Sequence, residues 1–263
     1  MASEVLVPSS PAEAVTLFGD GAATTVIGGG TIIVPEITLG RRSPGRVLLL
    51  SKAGLDGIRS DGTTITIGAT TPITALLDLA DRVQGLAACA RNVADLEIRG
   101  QGTVAGNICA GQGPNAPRGD LQGALLALDA YVRSAGSNGE RSEPIEDFLP
   151  HRQERLALEI SFEEPAASAF AALDYPHTHS YTVLAVTGAR TADGTIRLAA
   201  TGLAGAGSRL RSAENAVADI EAAGKAALAD VAFADDALAS AWYRRQTLPV
   251  LVGRVLTQLE ESR

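Results

Sequence analysis

Val26-Ile27-Gly28-Gly29-Gly30-Thr31 is a β-like run that breaks on three consecutive glycines, and it constrains this chain more than any other stretch. Glycine has no Cβ, takes positive φ readily and lets the backbone approach a neighbour closely. Three in a row after the strand-like residues 24–27 point to a loop whose N–H groups turn inward, a nest suited to phosphate oxygens. A second small-residue loop, Gly102-Thr103-Val104-Ala105-Gly106-Asn107, lies far downstream. Two such loops fit one pyrophosphate clasped from opposite sides, with a Cβ at Gly29 or Gly106 in the way. Taken alone, the first loop reads equally as a tight strand-to-helix turn. It is not a GxGxxG fingerprint, because position 33 is Ile33, and no Gly-Lys-Ser/Thr ending makes it a Walker A loop.

With 263 residues the chain is long enough for two domains and an ample core. At 46% hydrophobic and 20% charged it has a globular composition rather than a disordered one. Aromatics, at 4%, are too few for a base-stacking nucleic-acid binder. Lys plus Arg total 22 against 30 acidic residues, a net charge of −8, which works against nucleic acid and anionic membrane surfaces. A bound pyrophosphate therefore has to be held by backbone amides. Met1-Ala2-Ser3-Glu4 lacks the basic start of a signal peptide, and no apolar run approaches the roughly 20 residues of a membrane span, so a cytoplasmic location is expected. Cys89 and Cys109 form no CxxC pair and read as free thiols. Two cysteines cannot hold an iron–sulfur cluster, which takes four.

In chain order, Ser10-Pro11-Ala12-Glu13 reads as a capping box that opens a helix ending near Gly19. Residues 24–27 are expected as a strand, 32–39 as a buried helix and 46–51 as a buried strand. Asp61-Gly62 marks a hairpin. Helices follow at 71–80 and 86–93, then a long binding loop over 95–113. Asp120 caps a helix over 121–128. Strands at 130–134 and 156–162 are joined through a turn at 136–139 and a short helix near 145–149. Beyond Glu163-Glu164-Pro165, strands at 181–189 and 195–201 with helices at 212–223, 226–233 and 236–259 form a separate α+β domain.

Ile98-Arg99-Gly100-Gln101-Gly102-Thr103-Val104-Ala105-Gly106-Asn107-Ile108 is the most specific stretch. It resembles the "IRN-x-GT-I-GGN" segment of the FAD-binding subunit of the molybdenum hydroxylases. That family includes the medium subunit of carbon monoxide dehydrogenase and the flavin domain of xanthine dehydrogenase. Gly28-Gly29-Gly30-Thr31 is similar to its "AGGT" loop. Asp120 with Ala124-Leu125-Leu126-Ala127-Leu128-Asp129-Ala130 is similar to its "D-LP-x-ALLALDA" helix. Tyr243-Arg244-Arg245 with Val250-Leu251-Val252-Gly253-Arg254-Val255-Leu256 resembles its closing "YRR…VL-x-RRAL" helix. The resemblance covers essentially the whole chain.

The resemblance implies an α+β chain with the FAD-binding fold of the p-cresol methylhydroxylase and vanillyl-alcohol oxidase type. Two α/β subdomains, 1–53 and 54–162, are followed by a C-terminal domain, 163–263, with a small antiparallel sheet and helices. It implies FAD contacts from Ile27, Gly28, Gly29, Gly30, Thr31, Ile32 and Ile33, and from Gly102, Thr103, Val104, Ala105, Gly106 and Asn107. Asp120 would accept hydrogen bonds from FAD hydroxyls, besides its reading as a helix cap. Tyr181 matches a position that sets a tyrosine against the flavin ring, and reads equally as a core-facing strand residue. Cys109 falls where relatives place an apolar side chain near the ring, so packing is its expected role. Arg99 is expected to fix the glycine loop, and Leu156 to line the ring edge.

Two departures stand out. Residues 109–119 contain an insertion, and Leu173-Asp174-Tyr175 replaces a stretch where relatives often carry Lys or Arg. His177-x-His179 lacks a third metal ligand. Arg41-Arg42 and Arg244-Arg245 read as solvated or interface charges, and no nucleophile constellation is present.

By the same resemblance the chain is a FAD-binding electron-transfer subunit of a heterotrimeric molybdenum hydroxylase. A large subunit would hold molybdopterin and a small one [2Fe-2S] clusters, the whole forming a dimer of heterotrimers. A free-standing flavin oxidoreductase of the same fold and a FAD-free scaffold subunit stay as alternatives.

Overall fold

The structure is a computed structural model that describes residues 4–110, 119–173 and 182–262. In chain order it begins with β1 (Glu4–Leu6), α1 (Pro11–Phe18), β2 (Thr24–Ile27), α2 (Ile33–Thr38), β3 (Arg46–Leu49), β4 (Ile58–Asp61) and β5 (Thr64–Gly68). Next come α3 (Gln84–Asn92), α4 (Leu96–Gln101), α5 (Val104–Ile108), α6 (Leu121–Ala127), β6 (Tyr131–Gly136), β7 (Gly139–Pro144), α7 (Ile145–Phe148) and β8 (Leu156–Glu163). The chain closes with β9 (Ala167–Leu173), β10 (Leu184–Arg190), β11 (Ile196–Thr201), β12 (Ser208–Arg209), α8 (Arg211–Glu214), α9 (Ile220–Ala226) and α10 (Ala241–Glu261).

These elements gather into two compact units. The first takes residues 1–75, 96–109 and 131–162, and the second takes 76–95, 110–130 and 163–263. None of the helices among the described residues is long and apolar enough to cross a membrane.

The first unit holds two sheets. One is parallel, with order β1-β3-β2, and the other has five strands in the order β4-β5-β8-β6-β7. Helix α1 starts as its sequence dictates: the Ser10 hydroxyl accepts the Glu13 N–H at 3.2 Å, Pro11 occupies the first turn, and Gly19 at φ +62° ends it. The Glu13 carboxylate turns back to Ser9 rather than to Ser10, accepting its N–H at 2.8 Å and its hydroxyl at 2.7 Å. Ala14 and Phe18 then bury against Leu48, Leu50, Leu55, Ala135, Leu156 and Leu158.

In the second unit an antiparallel sheet, β12-β11-β10-β9, carries α10 on one face. Leu248, Leu251, Val252, Val255, Leu256 and Leu259 of the helix bury against Ala169, Val186, Leu198 and Ala200 of the strands. The approach is close enough that a Cβ on Gly188 would lie 2.6 Å from Val255 Cγ1. Helices α3 and α6 cover the other face, where Gly85 N–H donates to Ser168 Oγ at 2.9 Å.

Several expected elements change. The 32–39 helix is the six-residue α2, which has no buried residue and leaves Val34 and Leu39 exposed. The 71–80 helix is a 3₁₀ stretch over Ile73–Leu79. The long loop over 95–113 contains α4 and α5, whose short apolar spacings escape a periodicity reading. Strands β7 and β9 were not foreseen. The first is charged (GERSEP) and the second alanine-rich (ASAFAAL), so neither has the usual strand composition. The helix expected over 212–223 splits into α8 and α9, the 226–233 segment keeps only a 3₁₀ turn at Ala227–Ala229, and the last helix starts at Ala241. Tyr181, His177, His179, Asp174 and most of the 109–119 insertion lie outside the described residues.

Candidate functional site

Strand β2 delivers the first glycine loop at the end of the parallel sheet, where Ile27 pairs with Leu49. Gly30 sits at φ +76°, in the left-handed region that glycine tolerates, and turns the chain into α2. Among the described residues, the N–H groups of Gly28, Gly29, Gly30, Thr31, Ile32 and Ile33 find no hydrogen-bond acceptor. These residues are half-buried, so this run of donors stays open to a ligand.

The second loop is built differently. Thr103 is the N-cap of α5, and its hydroxyl accepts the Gly106 N–H at 3.2 Å. Val104 N–H donates to Thr71 O at 3.0 Å, Ala105 N–H to Ala69 O at 3.0 Å and Asn107 N–H to Thr103 O at 2.9 Å. Gly102 N–H donates to Ile98 O at 2.6 Å, and its carbonyl accepts the Ile73 N–H at 2.9 Å. Most N–H groups of this loop are thus spent on the protein, which makes it a rigid wall more than a second nest.

The two loops touch. A Cβ on Gly29 would stand 1.8 Å from the Gln101 carbonyl oxygen and 3.0 Å from Gly102 Cα. On Gly28 it would lie 2.6 Å from Thr103 Oγ1, and on Gly102 it would lie 3.6 Å from Thr31 Oγ1. Real Cβ atoms do not sit closer than about 3 Å to backbone, so the glycine at 29 is required by loop-to-loop packing itself, while Gly28 meets only the Thr103 hydroxyl. The arrangement is two loops pressed side by side, one of them presenting its amides. Gln101 was not singled out in the sequence; its carbonyl is a backbone group, and backbone atoms carry no residue-type signal.

The other expected residues fall as follows. Arg99, half-buried in α4, precedes Gln101 and Gly102. Asn107 is buried in α5, and Cys109 follows that helix at its C-cap. Burial pushes the Cys109 thiol up to about 12, against the opposing pull of the Arg152 charge, so the group is a neutral packing thiol. Leu156, 2% exposed, is packed into the core of the first unit, and that core accounts for its apolar character without a ligand. Asp120 belongs to the second unit. It is buried at the N-cap position of α6 in helical backbone conformation and makes no side-chain cap bond, which corrects its reading as the helix cap. Its carbonyl accepts the Cys89 thiol at 3.4 Å. Tyr181 is outside the described residues.

Arg244 corrects another expectation. It is 1% exposed, bidentate to Asp236 at 2.8 Å for each contact, and donates to the carbonyls of Val183, Ala234 and Ala239. Among the described residues no cluster of His, Cys, Asp and Glu is arranged to hold a metal ion.

Comparison with known proteins agrees with this architecture. Residues 1–161 match the family described as the FAD binding domain in molybdopterin dehydrogenase. The carbon monoxide dehydrogenase medium chain of Hydrogenophaga pseudoflava is 31% identical over 147 residues, 54% of this chain and 50% of that protein. The matched stretch therefore spans half the length of that relative. The 6-hydroxypseudooxynicotine dehydrogenase complex subunit alpha of Paenarthrobacter nicotinovorans is 28% identical over 97% of this chain and 93% of its own length. Among solved structures, a carbon monoxide dehydrogenase from Hydrogenophaga pseudoflava that lacks the Mo-pyranopterin moiety superposes with a TM-score of 0.87. That match has 26% identity and covers 100% of this chain and 98% of the other. Quinoline 2-oxidoreductase from Pseudomonas putida 86, at 17% identity and a TM-score of 0.84 over 99% and 98% of the two chains, shares the fold. This chain belongs to the family of FAD-binding domains of molybdopterin dehydrogenases.

Proposed function

We propose that this chain is the electron-transfer subunit of a heterotrimeric molybdenum hydroxylase, with FAD held against its first glycine loop. The observation that carries the reading is the open run of N–H donors from Gly28 to Ile33, braced from behind by Gln101 to Thr103. In a chain of net charge −8 such amides are the means of holding a pyrophosphate. Bound FAD supplies the redox chemistry; the chain fixes it, tunes it through hydrogen bonds and limits access to it. Residues 27–33 and the Thr103 hydroxyl take the pyrophosphate side. Arg99, Val104, Ala105 and Asn107 shape the wall beside it.

Electrons would reach this chain from the [2Fe-2S] clusters of a small subunit and leave to an external acceptor. A large subunit would hold the molybdopterin cofactor, in a dimer of heterotrimers. The medium-chain and complex-subunit character of the relatives supports this assembly. We place it in the cytoplasm, in keeping with two unpaired thiols. The division at residues 53 and 162 is supported by the three sheets, each of which falls within one interval to within a residue.

The test is the visible spectrum of the chain purified with its bound proteins. Flavin and iron–sulfur absorbance with two additional polypeptides is the expected result. A colourless protein that stays colourless after FAD is added overturns the reading.

A further inference from the structure

Helix α10 buries one face and leaves another open. Its inward side carries Leu248, Leu251, Val252, Val255 and Leu256. Its outward side carries Trp242, Gln246, Val250 and Arg254, four residues apart in turn and so on a single row, with Tyr243 beside them. Trp242 is 68% exposed, Val250 51% and Tyr243 44%. The chain has one tryptophan and four tyrosines, and two of these five stand in solvent on one turn of one helix. Neither Trp242 nor Val250 supports the core.

Up to Glu260 the helix itself carries only positive charge, in a chain that is negative overall. No acidic residue occurs in α10 before Glu260. Of the two carboxylates just upstream, Asp236 is paired with Arg244, while Asp235 accepts the Ala241 N–H at 2.6 Å and keeps its charge at the start of the helix. Arg254 extends the row, and Arg245 flanks it with its guanidinium over the Phe233 ring at 5.4 Å. Neither arginine has an ion-pair partner among the described residues. An exposed Trp and Tyr bordered by Arg is the composition of an interface hot spot.

We propose that this row of α10 is a docking surface for a different subunit, one that presents an apolar cleft rimmed by carboxylates. The arginines fit a partner face that carries carboxylates, and the same helix of a second copy offers none before Glu260. This inference rests on the reading of the chain as one subunit of a complex.

The single tryptophan supplies the readout. The chain is labelled with 5-fluorotryptophan, and its fluorine resonance is followed as the unlabelled large and small subunits are added. The expected result is a shifted resonance that loses its sensitivity to deuterated solvent. Trp242→Ala should weaken assembly about tenfold or more, with unchanged melting temperature and flavin content. The Arg245→Glu/Arg254→Glu pair should slow association and reverse its salt dependence, so that added salt speeds it. If the subunits bind while the resonance stays put and Trp242→Ala binds like the parent, this surface is wrong and the subunit reading stands. If neither subunit binds at all, both readings fall. A resonance that moves with the concentration of the chain alone makes a second copy the occupant and overturns the proposal.

Discussion

Gly29 lies against the carbonyl oxygen of Gln101 so closely that a Cβ built on Gly29 would be 1.8 Å from it. Gly29 is therefore a packing requirement between two loops before it is a matter of ligand approach. Gly29→Ala must push the loops apart, an overpacking cost of about 1–3 kcal/mol. The expected outcome is a lowered denaturation midpoint together with loss of flavin at equilibrium dialysis. Gly106 meets only a side-chain hydroxyl, Thr103 Oγ1 at 2.8 Å, so Gly106→Ala should cost about 1 kcal/mol or less and retain most flavin. Equal damage from the two substitutions would contradict this account.

Arg244 and Asp236 form a bidentate pair with side chains 1% and 8% exposed. Removing one partner leaves a buried charge without compensation, which costs about 3–5 kcal/mol. Arg244→Met should therefore destabilise strongly, and Asp236→Asn comparably, in chemical denaturation. The double variant should be less harmful than the sum of the two. Strict additivity would show that the pair does not act as a unit.

Glu159 gives the acid limb of stability. Burial alone would raise its carboxyl, but hydrogen bonds from Arg133 at 2.9 Å and Arg59 at 2.6 Å outweigh this and hold it below the ordinary 4.5. Around that value the unfolded chain binds a proton that the folded chain refuses. Stability is thus full above pH 4.5 and falls as pH drops through the folded value. Glu159→Gln should flatten that part of the unfolding free energy plotted against pH; an unchanged slope would remove Glu159 from the account.

The thiols give the alkaline limb. Burial, aided by the Asp120 charge, lifts Cys89 well above the ordinary 9.0, and burial pushes Cys109 up to about 12. The folded chain keeps both protons where the unfolded chain loses them, so stability should decline as pH rises past 9. At pH 8 the buried Cys89 should not react with a chromogenic disulfide in the native protein, the half-buried Cys109 should react slowly, and both should react fast after unfolding. Rapid native labelling of Cys109 would show its site to be open.

Elements whose signals are local were legible in the sequence. Ser10, Pro11 and Gly19 bounded α1, and Asp61-Gly62 fixed the β4–β5 hairpin. The first glycine loop and the helix after Asp120 could be read for the same reason, whereas the second glycine stretch, expected as a loop, lies largely in α5. Strands β7 and β9 were not legible, because charged or alanine-rich strands are made by their sheet neighbours rather than by propensity. The burial of Arg244 was equally hidden, since its acceptors are mostly main-chain carbonyls. Of the site, the residue types were visible, but not that Gln101 supplies the brace or that the second loop has spent its amides.

The pressing of residues 28–29 against 101–103 bears on biogenesis. The two segments are far apart in the chain, and among the described strands β2 is an edge strand paired with β3. During synthesis the first loop emerges long before its brace, and contacts of such large sequence separation are slow to form. A ribosome-bound chain that stops short of Gln101 has the glycines but nothing to hold them in place. Flavin loading is then a late event, and a flavin-loaded chain is one whose first unit has finished folding.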